Sequence, residues 1–209
     1  MVDSFIVFEG ITGSGKKTQV RLLAEKLQNA GERVVMIGFP NFETQIARLT
    51  KRIMDADPYT LSLLFAADRS LYQERIKSLL RSGEIVLCDR YCYSNFAYMS
   101  AKGLDLKWLI DLERNVLKPN IVFLVDVPMS VSFNRIQQLK IEDFTKKEIL
   151  SRIERERELI EKIREVYLSL AVSNLDKETK WFVIDGSQSV EKIHEDIWKI
   201  VSIELKIVG

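Results

Sequence analysis

The sequence predicts a three-layer α/β/α domain on a five-stranded parallel sheet. Two observations carry this. Short β-rich apolar runs alternate along the chain with longer segments of helical periodicity, and such alternation gives a parallel sheet covered by helices. The runs are also apolar at successive positions, as strands buried on both faces require.

The elements follow in order. Residues 4–8 (SFIVF) form the first strand and end at a glycine-rich turn. Residues 18–31 set Val20, Leu22, Leu23 and Leu27 on one helical stripe, closed by Gly31. Residues 33–39, 84–90, 120–127 and 181–185 supply four more strands. Helical patterns fill the gaps at about 59–82, 105–117, 146–173 and 189–204. The polar stretch 137–147 falls between two helical patterns. No linker or repeat stands out, so residues 1–209 read as one domain.

Composition excludes several classes. The 31 Lys and Arg nearly balance 30 Asp and Glu, which gives no footprint for nucleic acid or a membrane surface. No run approaches the ~18 apolar residues of a membrane span. Asp3 and a first apolar run of strand length argue against a signal peptide. Cys88 and Cys92 do not make a disulfide framework, so a reduced, cytoplasmic protein is expected. The lone His194 has no ligand partners at metal-binding spacing and reads as a helix-surface residue.

The chemistry starts at residues 8–19, FEGITGSGKKTQ. The string lies directly after a strand and before a helix, which raises its specificity above a bare match to G-x-x-x-x-G-K-[ST]. Gly10, Ile11, Thr12, Gly13, Ser14 and Gly15 would curl so that backbone N–H groups face phosphate oxygens. The helix that follows presents its positive end to the anion, and Lys16 reaches the terminal phosphates. The next position should carry a hydroxyl for a magnesium ion, and Lys17 stands there instead. Thr18 cannot replace it, because one helical residue turns a side chain by about 100°. Lys17 either sets an ammonium where the metal would be fixed or points to solvent. An N-K-x-D guanine-reading motif is absent. A second site appears in LCDRYCYSNFAY, 87–98. Asp89 and Arg90 fall at the carboxyl end of a strand, where open α/β sheets bind ligands. Asp89 would hold a metal through water or polarise an acceptor, and Arg90 would grip an acceptor phosphate.

These residues resemble the thymidylate kinase family. FPNFET (39–44), LLFAADR (63–69), GEIVLCDRYCYSNFAY (83–98), FLVDVP (123–128), SRIERE (151–156) and WFVIDGSQS (181–189) match its pattern in order and spacing, over nearly the whole chain. The resemblance implies a phosphate-loop kinase architecture, transfer of phosphate from ATP to dTMP with Mg2+, and a homodimer. It implies ATP binding by residues 10–18, including Lys17 and Thr18. Phe65 would stack on thymine and Arg69 would donate to a base carbonyl. Phe39 would line the acceptor pocket, Arg90 would bind its phosphate, and Tyr98 would crowd a 2′-hydroxyl. Residues 137–155 would form a lid, or 137–147 a plain connection between helices. Arg152 would supply a transition-state cation, so Lys16, Asp89, Arg90 and Arg152 form the expected catalytic set. The chain departs from the family at Lys17, at Thr12 (usually Asp), at Phe42 (usually Arg in the Phe-Pro branch) and at Met99 (often Gln). Gly13 replaces a loop arginine, which shifts charge neutralisation to Arg152 or Arg155. These departures leave two alternatives, a monophosphate kinase of broader range and a nucleotide-binding protein with weakened catalysis.

Overall fold

The computed structural model describes residues 4–138, 147, 150–151, 154–173 and 175–207. Five strands, β1 Ser4–Glu9, β2 Val34–Gly38, β3 Ile85–Asp89, β4 Ile121–Asp126 and β5 Lys180–Asp185, form one all-parallel sheet in the order β2-β3-β1-β4-β5. Among the described residues eight helices cover it: α1 Lys16–Asn29, α2 Gln45–Arg52, α3 Pro58–Arg81, α4 Cys92–Ala101, α5 Leu106–Leu112, α6 Met129–Gln138, α7 Arg157–Val172 and α8 Val190–Glu204. The three-layer expectation holds.

Alternation along β1 explains the two layers. Phe5 and Val7 face one core with α3, α4 and α7, whereas Ile6 and Phe8 face the other with α1 and α8. All four are at most 1% exposed, and each fully buried side chain of this size contributes roughly 1.5–3 kcal/mol. The expectation of strands buried on both faces fits β1, β3 and β4, whose residues are buried except at the last position of β3 and β4. It fails for β2 and β5, which are partly exposed because they are the sheet edges.

Strand ends fall within a residue or two of expectation. Two helices, α2 and α4, were not anticipated as elements, and α6 was expected only as a helical pattern before residue 137. α4 lies in the segment read as a motif, where Cys92, Tyr93, Asn95, Phe96, Ala97 and Met99 are all buried. A helix buried nearly all round has no amphipathic stripe to betray it. Four of the eight helices start with a local cap: Thr44 accepts from Ala47 N, Asp57 from Thr60 N, Asp105 from Trp108 N and Ser189 from Lys192 N. Much of the expected lid, and Arg152 with it, lies outside the described residues. Among those described, no helix is long and apolar enough to cross a membrane. His194 is half-buried on α8.

Both cysteines are free and buried, and burial pushes both thiols up from their ordinary range. Folded protein at pH 8 is therefore expected to react negligibly with a thiol reagent within minutes, and denatured protein to react at both positions. Rapid labelling of either in the folded state would contradict this packing.

Candidate active site

The carboxyl edge of the sheet gathers the chemistry. Register pairs Phe8 with both Asp89 and Phe123, so β1 and β3 end side by side at Glu9 and Arg90. The glycine-rich loop leaves β1 there. Gly10, Gly13 and Gly15 have φ of 140°, 76° and 98°, values that L side chains rarely adopt. A Cβ on Gly13 would also lie 2.8 Å from Ser132 Oγ and 2.9 Å from Ser132 O. α6 grips the loop from outside: Ser132 Oγ donates to Thr12 O (2.6 Å) and Arg135 Nη1 to Ser14 O (3.1 Å).

α1 breaks the usual rules for a helix start. Gly15 caps it without a side-chain bond, its first turn holds no acid, and it opens on two lysines. Cations at the positive end of a helix are unfavourable, and uncapped N–H groups await an anion. Local rules are broken in this way where function demands it. Lys16 is 5% exposed. Its Nζ donates to Gly10 O (2.8 Å), Ile11 O (2.9 Å) and Ser14 Oγ (3.2 Å). Burial, then the nearby Arg90 charge, pull its pKa down to about 7. Lys17 is exposed and Thr18 half-buried.

Next to the loop, a cavity of about 430 Å3 lies between α2, α3, α4 and α7, a size suited to a small ligand. Phe39, Phe65, Arg69, Arg90 and Tyr98 all line it, as do Ile11 and Thr12 of the loop. Lys16 and Asp89 do not. Arg69, 3% exposed, pairs with the fully buried Glu113 through Nε (2.9 Å) and Nη2. Burial opposes its charge, but Glu113 outweighs burial and raises the pKa. Nη1 has no hydrogen-bond partner among the described residues. Asn95 Nδ2 donates to Glu113 Oε1 (3.0 Å) and Ser62 O (3.3 Å), while its buried Oδ1 has no partner. Arg69 and Asn95, each with a polar atom left unpaired by the described residues, both line the cavity.

Arg90 lines the cavity as well. Its N–H donates to Phe8 O (2.9 Å), which turns the residue to φ 67°. Nη1 donates to Ser94 Oγ (3.2 Å) and Nη2 to Tyr98 OH (3.3 Å). Burial opposes this charge too, and Tyr98, Tyr167, Glu9 and Asp89 together reverse that effect and raise the pKa.

The loop after β1, the Asp89-Arg90 turn after β3 and the buried Arg69 thus surround one cavity. The sequence model of the thymidylate kinase family matches residues 8–197. The chain belongs to that family. It is 40% identical to the probable thymidylate kinase of Thermococcus kodakarensis over 94% of this chain and 96% of that one. It is 37% identical to the thymidylate kinase of Plasmodium falciparum, over 95% and 89%. It is 32% identical to probable thymidylate kinase 1 of Saccharolobus solfataricus, over 96% and 97%.

Within a thymidylate kinase fold the remaining acids sort themselves. Asp126, at the end of β4, is held by Arg164 through two bonds of 2.6 and 2.7 Å. Asp89 Oδ1 is buried with no partner. Among the described residues no cluster of three metal-ligating side chains exists. Sequence reasoning missed Glu9, Ser94, Asn95, Glu113, Ser132, Arg135 and Tyr167. Glu9 and Asn95 sit inside motifs that were quoted. Nothing local could have tied Glu113 or Tyr167 to the site.

Gly13→Ala is expected to destabilise the protein by about 1–3 kcal/mol through strain and overpacking and to abolish nucleotide binding. Gly31→Ala, with φ 86° but no atom within 4 Å, should lower stability and leave binding intact. Thermal unfolding and nucleotide titration of both variants check this.

Proposed function

We infer that this chain phosphorylates dTMP to dTDP with ATP. The observation that carries the acceptor half is the polar part of the cavity lining, where Arg69 offers a donor and Asn95 an acceptor beside the half-buried Phe65. Thymine presents carbonyl acceptors and an N3–H donor, which suits that pair, whereas cytosine presents N3 as an acceptor. Phe65 offers a face to the ring at little entropic cost. Arg90, at the loop side of the cavity, neutralises the acceptor phosphate. Lys16 and the N–H groups of residues 10–18 hold the ATP phosphates. Lys16 leaves its carbonyl partners when a phosphate oxygen arrives, because an anion supports the charge that burial opposes. Catalysis then rests on alignment of donor and acceptor and on stabilised charge.

Asp89 would hold Mg2+, through water, together with ATP oxygens. The ion supplies charge neutralisation and orientation of the β- and γ-phosphates. Arg152 and Arg155 are the lid candidates for a further cation; Arg155 is exposed. A homodimer is supported by exposed Tyr59, Leu63 and Leu71 along α3, which share a helical face by spacing. Two free thiols favour the reducing cytoplasm.

An ADP-release assay with a panel of monophosphates tests the reading. Turnover should favour dTMP over dCMP, dGMP and dAMP, since mismatched buried polar groups are left unpaired, and Lys16→Ala should abolish turnover while keeping the fold. Equal rates across the panel would leave a broader-range kinase. Loss of ATP binding in wild type would sink the assignment.

Lys17 generates a separate expectation. A charged lysine cannot ligate a metal, so Lys17→Ser should tighten MgATP binding, lower the magnesium concentration needed for half-maximal rate and raise kcat. Calorimetry of ATP with and without magnesium, beside initial rates, reads all three. A slower serine variant at low magnesium would mean that the ammonium swings onto the phosphates and does part of the metal's work.

A further inference from the structure

Glu9, the last residue of β1, does not line the cavity, yet it is fully buried and accepts four hydrogen bonds. Period-two alternation puts it on the face of Phe5 and Val7, toward α4 and α7. Oε1 accepts from Tyr91 N (2.8 Å) and Ser94 N (3.1 Å). These are the N-cap residue and third residue of α4, a helix with no side-chain cap of its own. Glu9 thus does for α4, from another strand, what Thr44, Asp57, Asp105 and Ser189 do locally for their helices. Oε2 accepts from Ser94 Oγ (2.7 Å) and Tyr167 OH (2.9 Å). With their hydrogens turned to Glu9, those two hydroxyls present lone pairs to Arg90 Nη1, at 3.2 and 3.5 Å.

A cap alone needs no charge. Serine or threonine serves, and burying a carboxylate is costly unless it is paired and hydrogen-bonded. Burial raises the Glu9 pKa, against the opposing pull of Arg90 and its hydrogen-bond donors. The charge acts toward Arg90, across the two hydroxyls, and also supports the charge of Lys16. We propose that Glu9 is a positioning residue for the acceptor phosphate: it fixes the start of α4 and, through Ser94 Oγ and Tyr167 OH, aims the Arg90 guanidinium into the cavity without touching substrate. This rests on the reading that Arg90 holds the phosphate of the acceptor.

The test compares calorimetric affinities for dTMP, thymidine and ATP in wild type, Glu9→Gln, Tyr167→Phe and the double variant. The Glu9→Gln change keeps an acceptor for the two backbone N–H groups but removes the charge and turns an NH2 toward the hydroxyls. Glu9→Gln should weaken dTMP about tenfold, the scale of one charge-assisted bond, with thymidine and ATP within about twofold. Tyr167→Phe should weaken dTMP in the same selective way, and the double variant should lose less than the product of the two, since both act through one bridge. Equal weakening of dTMP, thymidine and ATP would reduce Glu9 to a structural role and overturn the proposal. So would a dTMP-to-thymidine gap that survives Glu9→Gln. If that variant does not fold, Tyr167→Phe decides by the same gap: a narrowed gap supports the proposal and an unchanged one overturns it. A wild type that binds dTMP no better than thymidine overturns both the proposal and the acceptor reading, which separates the two failures.

Discussion

One hydrogen bond shapes the site more than any other. Arg90 N donates to Phe8 O at 2.9 Å and extends the β1–β3 pairing one residue past the end of β3. A parallel sheet brings all its carboxyl ends to one edge, and this bond fixes where the third strand leaves it. Arg90 turns to φ 67° there, and the glycine-rich loop leaves β1 at the same level. Glu9, Lys16 and Arg90 are thereby brought close together, and the charges of Glu9 and Asp89 both support those of Lys16 and Arg90. Burial and Arg90 disfavour the charge of Lys16, and the two acids only partly offset that. An arriving phosphate adds the missing negative charge, so the edge is built incomplete and is completed by its ligand.

The polar part of the cavity lining follows another logic. Arg69, Glu113, Asn95 and Ser62 are all buried. Such a pair contributes little net stability compared with an apolar core. It does fix direction: with Nε and Nη2 held by Glu113 and Asn95 Nδ2 also bonded to it, the unused Nη1 and Oδ1 have few other orientations. Partial satisfaction is a fault in a core and a recognition device beside an empty cavity.

Lys17 and Phe42 are the points where this chain parts from its family and where the structure adds information. Lys17 faces solvent on the first turn of α1. Phe42 lines the cavity, and Lys51 Nζ stands 5.6 Å from the centre of its ring. A cation therefore stands over a ring that lines the cavity.

The sequence by itself determined the architecture and the donor site. Period-two and period-3.6 patterns are local, because each buried face repeats within a single element, and the phosphate loop is one continuous string. Arg90 was also legible from its place at the end of a strand, and Phe39, Phe65, Arg69 and Tyr98 from the resemblance of their motifs to the family; all five meet at one cavity. Only the tertiary structure decided what orients them. α4 escaped notice because it is buried on nearly every side, and its cap lies 82 residues earlier. Glu113 is 44 residues from Arg69, and Tyr167 is 158 residues from Glu9. No local pattern encodes such pairs, because a buried hydrogen bond is chosen by which strands lie side by side and which helices pack on them, and that choice is made by the whole sheet at once.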